Sequence, residues 1–195
     1  MNHWYQQAQN DPNLHLMYAD SAALSLLPTL TRCWTRIGQQ RLIPTPGVKA
    51  EKLWNWGAVN VVTGESLHLL HARRNNVGIR RLLAAIARHY DLAHHPERRI
   101  ILFLDNDKAH KAKVVQRLRA KHNHQIQIEW LAPYSPEFNP QEDIWQHMRR
   151  RVTHNYYFQH MHKLKQAVHD FHTELEAAPD QVLQLISKWT HLIAA

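Results

Sequence analysis

Ile100-Ile101-Leu102-Phe103-Leu104 is a run of five large apolar side chains, entered from Arg98-Arg99 and closed by Asp105. A strand sends alternate side chains to opposite faces, so a run without alternation is apolar on both faces and has to be covered on both. That requirement excludes a sheet with one wet face. It predicts a central strand in a sheet flanked by helices. It also leaves the Asp105 carboxylate at the carboxyl end of the strand, where open α/β sheets gather their ligands.

The rest of the chain fits around this strand. Residues 14–19 form a second short apolar run that stops at Asp20 and reads as a buried strand. Pro28, Gly38, Pro44, Pro46 and Gly47 then mark a loop. Trp54 to Val62 reads as a strand, Thr63-Gly64 as a turn and Glu65 to Ala72 as the hairpin partner. Ile79, Leu82, Leu83, Ile86 and Tyr90 recur at helical spacing. Beyond Asp105 the pattern predicts a basic helix from Lys108 to His122, with Val114, Val115 and Leu118 inside. A strand from Ile126 to Leu131 follows, then the loop Ala132-Pro133-Tyr134-Ser135-Pro136 and a helix from Pro140 to about Val152. Two stripes predict closing helices separated at Ala178-Pro179: Leu164, Val168, Phe171 and Leu175, then Val182, Leu185, Ile186, Trp189, Leu192 and Ile193. The whole, 1–195, reads as a single mixed α/β domain with a helical tail from about residue 158.

Charge narrows the partners. The chain has 24 Lys and Arg against 16 Asp and Glu, a net +8, with 17 histidines besides. Such a surplus favours a polyanion, and nucleic acid is the commonest. The single cysteine, Cys33, excludes an internal disulfide framework and a cysteine-built zinc site. No apolar run approaches the ~20 residues that span a bilayer, and residues 1–13 lack a signal-peptide pattern. A soluble cytoplasmic protein is expected.

Three carboxylates stand out. Asp20 and Asp105 each end an apolar strand, although an Asp there also serves as an ordinary turn residue. Glu142 lies in Asn139-Pro140-Gln141-Glu142-Asp143-Ile144-Trp145. With Asn139 as N-cap and Pro140 at the first helical position, Glu142 completes a capping box and needs no other role. Alternatively, it faces the strand ends as a ligand. Three hard oxygen ligands without cysteine suit Mg²⁺ or Mn²⁺. Two such ions about 3.5–4 Å apart serve phosphodiester chemistry by activating the attacking oxygen and stabilising the leaving one.

Leu102-Phe103-Leu104-Asp105-Asn106 with His110, and the long stretch Leu131-Ala132-Pro133-Tyr134-Ser135-Pro136-Glu137-Phe138-Asn139-Pro140-Gln141-Glu142-Asp143-Ile144-Trp145, resemble the DDE transposases of the mariner-like superfamily, bacterial insertion-sequence branch. Asp20, Trp34, Gly38 and Gly57-Ala58-Val59 fall where that family has its first aspartate and second strand. The resemblance runs from about Leu14 to Arg151. It implies a ribonuclease H-like fold, with Asp20, Asp105 and Glu142 as catalytic, metal-binding residues for Mg²⁺ or Mn²⁺, two ions in all. The implied reaction is metal-dependent cleavage of double-stranded DNA at transposon ends, followed by strand transfer into target DNA. A homodimer in a synaptic complex and a bacterial, nucleoid-associated location in the cytoplasm are implied with it. Ser21 stands where the family commonly has a second acid, and Asp107 is an alternative ligand near Asp105. The 13 residues before the first strand cannot hold the family's amino-terminal helix-turn-helix, so either a separately encoded or frameshift-joined region supplies it or the chain is a truncated or repurposed catalytic domain.

Around the triad, His110 and Asn106 have the spacing to support Asp105 or contact substrate phosphate. Lys113, Arg117 and Lys121 recur every four residues and make one basic helix face. Arg149-Arg150-Arg151 lies about two turns past Glu142. A solvated face explains any one such cluster, and DNA binding explains them together. The remaining histidines show no zinc spacing and read as surface. The stripe from Leu164 to Leu175 reads as core or as a dimer contact. Two other readings compete with the enzyme: a transposase-derived, non-catalytic DNA-binding or assembly subunit, and a different ribonuclease H-like nuclease such as a resolvase.

Overall fold

Five strands form one sheet in the computed structural model, which describes residues 1–43, 45, 51–106, 116, 117, 120–122, 125–133 and 135–194. They are β1 (Leu14–Ser25), β2 (Lys52–Asn60), β3 (Ser66–His71), β4 (Arg99–Leu104) and β5 (Ile126–Trp130), in the spatial order β3-β2-β1-β4-β5. β1, β2 and β3 pair antiparallel as a meander, whereas β4 and β5 join parallel to β1. The sheet is mixed, with helices on both faces, in the ribonuclease H-like manner.

The unbroken apolar run of β4 divides as its lack of alternation requires. Ile101 and Phe103 enter one core; Ile100, Leu102 and Leu104 enter the other. β1 divides likewise, with Leu16 and Tyr18 on the first side and Met17 and Ala19 on the second. Helix α1 (Asn2–Asn10) leads into β1, and α2 (Asn76–His89) covers the second core with Ile79, Leu82, Leu83 and Ile86. Asn75 starts α2 by accepting the amide N–H groups of Val77 and Gly78, two donors that the helix itself cannot satisfy. The first core is closed by α1, α3 (Gln141–Met148), α4 (Met161–Glu176), α5 (Pro179–Leu185) and α6 (Ser187–Ala194). Among the described residues no helix is long and apolar enough to cross a membrane.

Several expectations change. β1 does not stop at Asp20 but continues to Ser25, because its antiparallel ladder with β2 outlasts the parallel one with β4. Residues 2–10, which suggested no element, form a helix whose Trp4, Tyr5 and Ala8 meet the core at helical spacing. The helix beginning at Gln141 loses α geometry at Arg149 and passes through a π turn over Arg149–Thr153. The wide tail stripe belongs to two short helices broken at Ile186, and Leu192 is exposed. Leu164, Val168, Phe171 and Leu175 are buried in the chain's own core, which leaves that stripe no dimer role. The predicted basic helix lies mostly outside the described residues, where Gln116, Arg117, Ala120 and Lys121 are helical.

The histidines are not all on the surface. His172 is buried, stacks on His68 at 4.0 Å and lies 2.8 Å from Asn55 Nδ2 through its Nε2. Burial pushes its pKa far down, and the neighbouring His68 and His169 push it further. An unfolded chain therefore takes up this proton first, near pH 6.5. The stabilising share of the neutral ring is complete above that pH and declines as pH falls below it. Urea unfolding at pH 7.0 and 5.5 is expected to show about 1 kcal/mol less stability at the lower pH from this residue. His172→Gln should remove that share of the difference, and an identical pH dependence in the variant would show that the ring is protonated when folded.

Candidate active site

The strand register brings the first two acids together. β1 and β4 pair with Tyr18 beside Phe103, and these rings stack with centroids 4.7 Å apart and planes within 7°. Two residues further along each strand come Asp20 and Asp105. Strand side chains alternate, so Asp20 shares the face of Tyr18, and Asp105 directly follows the end of β4. The β1–β4 ladder ends at Tyr18 and Phe103, so the register leaves the two acids at the same end of the sheet, and the Asp105 charge acts on Asp20. On the other side of β1, Asp20 pairs with Gly57 of β2.

Gly57 admits the third element. A Cβ there would lie 2.6 Å from Trp145 Cη2 and 2.7 Å from Gln141 Nε2, so only glycine lets α3 settle this close to β2. Trp145 then reaches over and donates its indole N–H to Asp20 Oδ2 at 3.0 Å. Glu142 stands one turn before Trp145 and is carried to the same end of the sheet. Gly57→Ala is expected to cost about 1–3 kcal/mol through overpacking against the indole, measurable by thermal unfolding.

Electrostatics agrees with this proximity. Burial raises the Asp20 carboxyl to about 6, and the charges of Glu142 and Asp105 push in the same direction, against hydrogen bonds from the Ser21 backbone and the Trp145 indole. A half-buried carboxylate raised by the charges of two further carboxylates is a site of concentrated negative charge, which a divalent cation would offset. The donor set, three carboxylates, fits Mg²⁺ or Mn²⁺. The side chains do not converge on a single point: among the described residues no three His, Cys, Asp or Glu groups lie close enough to share an ion.

The two alternatives for Glu142 separate here. Asn139 is buried and its Oδ1 accepts the Gln141 N–H at 3.2 Å, so Asn139 caps the helix start. The Glu142 amide donates to the Asn139 carbonyl at 3.0 Å, but among the described residues its carboxylate accepts no bond from the Asn139 N–H, so the reciprocal half of a capping box is absent. Instead, Glu142 borders a cleft of about 590 Å³ between α3 and α6, together with Asn139, Asp143, Gln146, Arg149 and Lys188. Lys188 carries no signal in the sequence because it sits alone in an apolar helix. Its charge pulls down the Asp143 carboxyl, which burial pushes up.

The other predicted residues divide. Asn106 donates to the Leu131 carbonyl at 3.0 Å and ties the ends of β4 and β5 together. Arg149 lines the cleft beside Glu142, whereas Arg151 pairs with Glu174 at 2.8 Å and lies over the Phe171 ring. Arg150, Arg117 and Lys121 are exposed. His110, Lys113, Asp107 and Tyr134 lie outside the described residues. Trp145 and Met148 are fully buried on the inner face of α3, with Ile144.

Known proteins share this fold. Over 97–99% of its length the chain superposes on structures of the Mos1 mariner transposase. The paired-end complex with Mn gives a TM-score of 0.69 at 16% identity over 57% of that chain. The isolated Mos1 catalytic domain gives 0.58 at 15% identity over 86% of that chain. In sequence, the chain is 26% identical over 156 residues to the insertion element IS630 uncharacterized 39 kDa protein of Shigella sonnei. That match covers 80% of this chain but 44% of the relative, so the chain spans less than half the length of that protein. Residues 15–165, well over half of the chain, match the DDE superfamily endonuclease family, and the chain belongs to that family.

Proposed function

We propose that this chain is the catalytic domain of a DDE transposase, cutting and joining double-stranded DNA with Asp20, Asp105 and Glu142 as the residues that hold Mg²⁺ or Mn²⁺, two ions in all. The observation that carries this reading is Asp20, a half-buried carboxylate on the core face of β1, held by the Trp145 indole at 3.0 Å and acted on by the charges of the other two acids. Bound divalent cations supply Lewis-acid polarisation of the phosphodiester and a more nucleophilic attacking oxygen. The chain's own residues do the rest. Trp145 and the Ser21 amide fix the Asp20 carboxylate, Asn106 holds the β4 and β5 ends in place, and the buried sheet excludes water from below. Arg149 and Lys188 flank Glu142 and offset the charge of a DNA strand entering the cleft. In support, related folds have been solved with Mg, with Mn and with a transposon end.

A homodimer fits the exposed arm after β1, where Trp34 and Ile37 are fully accessible and Leu42 nearly so. Apolar side chains held in water in one arm mark a contact surface.

Crystals soaked in Mn²⁺ test the metal reading directly. Anomalous density is expected among Asp20, Asp105 and Glu142, with their carboxylates turned inward. Carboxylates that stay apart, with no density even when DNA is bound, would overturn the enzyme reading. The DNA contacts are tested separately. Arg149→Ala and Lys188→Ala are each expected to flatten the slope of log Kd against log salt by about 0.9, which anisotropy with a labelled duplex would measure.

A further inference from the structure

Arg74 lies in the connection between β3 and α2 and does not line the cleft beside Glu142. Its Nη2 donates to Asp105 Oδ2 at 3.3 Å, and its guanidinium carbon sits 5.6 Å from the centroid of the Trp54 ring. Trp54 is fixed in turn by the ladder, opposite Ala23 on β1 and His71 on β3. Both partners of the Arg74–Asp105 pair are about two-fifths exposed, so the guanidinium edge reaches solvent at the mouth of the site.

We infer that Arg74 is a phosphate-binding residue of this site, which exchanges its bond to Asp105 for one to the DNA backbone when a divalent cation takes that carboxylate. The inference rests on the metal-dependent reading above. An ionised carboxylate only accepts, and an oxygen lone pair that holds a guanidinium is not available to a metal. A divalent cation on that carboxylate also repels the guanidinium charge beside it, so cation binding competes with the Arg74 bond, and an exposed ion pair is weak enough to yield. Stacking on Trp54 keeps the displaced group beside Asp105. There its planar fork matches the geometry of a phosphate, whereas a lysine offers only a point charge. In this scheme Arg74 contacts the substrate phosphate itself; it neither holds the metal nor transfers a proton.

Two measurements on the full chain test the exchange. Mn²⁺ affinity without DNA is read from the electron paramagnetic resonance of free Mn²⁺. The salt dependence of binding to a labelled duplex is read by anisotropy in Ca²⁺. Arg74→Ala should bind Mn²⁺ about two- to fivefold more tightly, because the competitor for Asp105 is gone. Its salt slope should fall by about 0.9, one phosphate contact. Arg74→Lys should restore most of the slope through its charge. Either readout unchanged in Arg74→Ala overturns the exchange. If Asp105→Asn at the same time weakens Mn²⁺ binding, the metal site stands and only the Arg74 assignment fails. A wild-type chain that takes up no Mn²⁺ overturns both.

Discussion

Asp105→Asn should lower Mg²⁺- or Mn²⁺-dependent nicking of plasmid DNA by at least about a hundredfold while leaving the fold intact. The substitution keeps the shape of the side chain and removes one anionic ligand. Stabilisation of transition-state charge by a bound cation is worth several kcal/mol, and each 1.36 kcal/mol is a factor of ten in rate. The structural loss is small by comparison. Asp105 follows the end of β4 and is partly exposed, and its bond to Arg74 is an exposed ion pair of about 0–1 kcal/mol. Unfolding curves should therefore nearly superimpose while cleavage collapses. Duplex binding should survive, since the basic surface is untouched. A mutant that nicks at the wild-type rate would remove Asp105 from the site. Glu142→Gln sharpens the comparison. Because Asn139 caps α3 without help from Glu142, stability should change by well under 1 kcal/mol, and only a ligand role predicts lost activity.

Most of the fold is legible in the chain because burial leaves a mark on composition. β4 is apolar on both faces, and the hairpin of β2 and β3 turns at Thr63-Gly64, where Gly64 has a φ of +77°. α2 and α4 carry stripes at helical spacing, and each of these elements forms where its pattern places it. What escapes the pattern depends on pairing partners, which periodicity does not encode. The continuation of β1 beyond Asp20 exists because β2 is there to bond it. The π turn at Arg149–Thr153 has no compositional signature, although it sends Arg149 to the cleft and Arg151 to Glu174. His172 looks like any polar helical residue until β3 brings His68 against it.

The candidate site shows the same division. The three acids are legible from the ends of apolar runs, a helix start and a family resemblance. The residues around them are not, because they act across long sequence separations. Arg74 reaches Asp105 from 31 positions away and Trp145 reaches Asp20 from 125. Trp145 reads simply as core, and it is core; only the register of β1 with β2 shows that Gly57 leaves room for its ring to arrive at a carboxylate.

That double duty gives Trp145 a part in both stability and the site. Trp145→Ala should cost about 3–5 kcal/mol, the range for deleting a fully buried large aromatic side chain, and a urea midpoint would show it. Trp145→Phe divides packing from positioning. The smaller ring still fills most of the space against Gly57 and should recover a good part of that loss. It has no N–H, so Asp20 keeps its burial and the repulsion of Glu142 and Asp105 but loses one of the two hydrogen bonds that hold its carboxyl down. In metal-free protein, carbon-13 titration of the Asp20 carboxyl should then move upward from about 6. A carboxylate that is harder to ionise and less fixed in direction is a poorer ligand. Cleavage in Trp145→Phe should accordingly fall further than its stability does, and Mn²⁺ should bind more weakly, most of all at low pH. If Trp145→Phe instead titrates, binds Mn²⁺ and cleaves like wild type, the indole is packing alone and the Asp20 carboxylate is positioned by the strand that carries it.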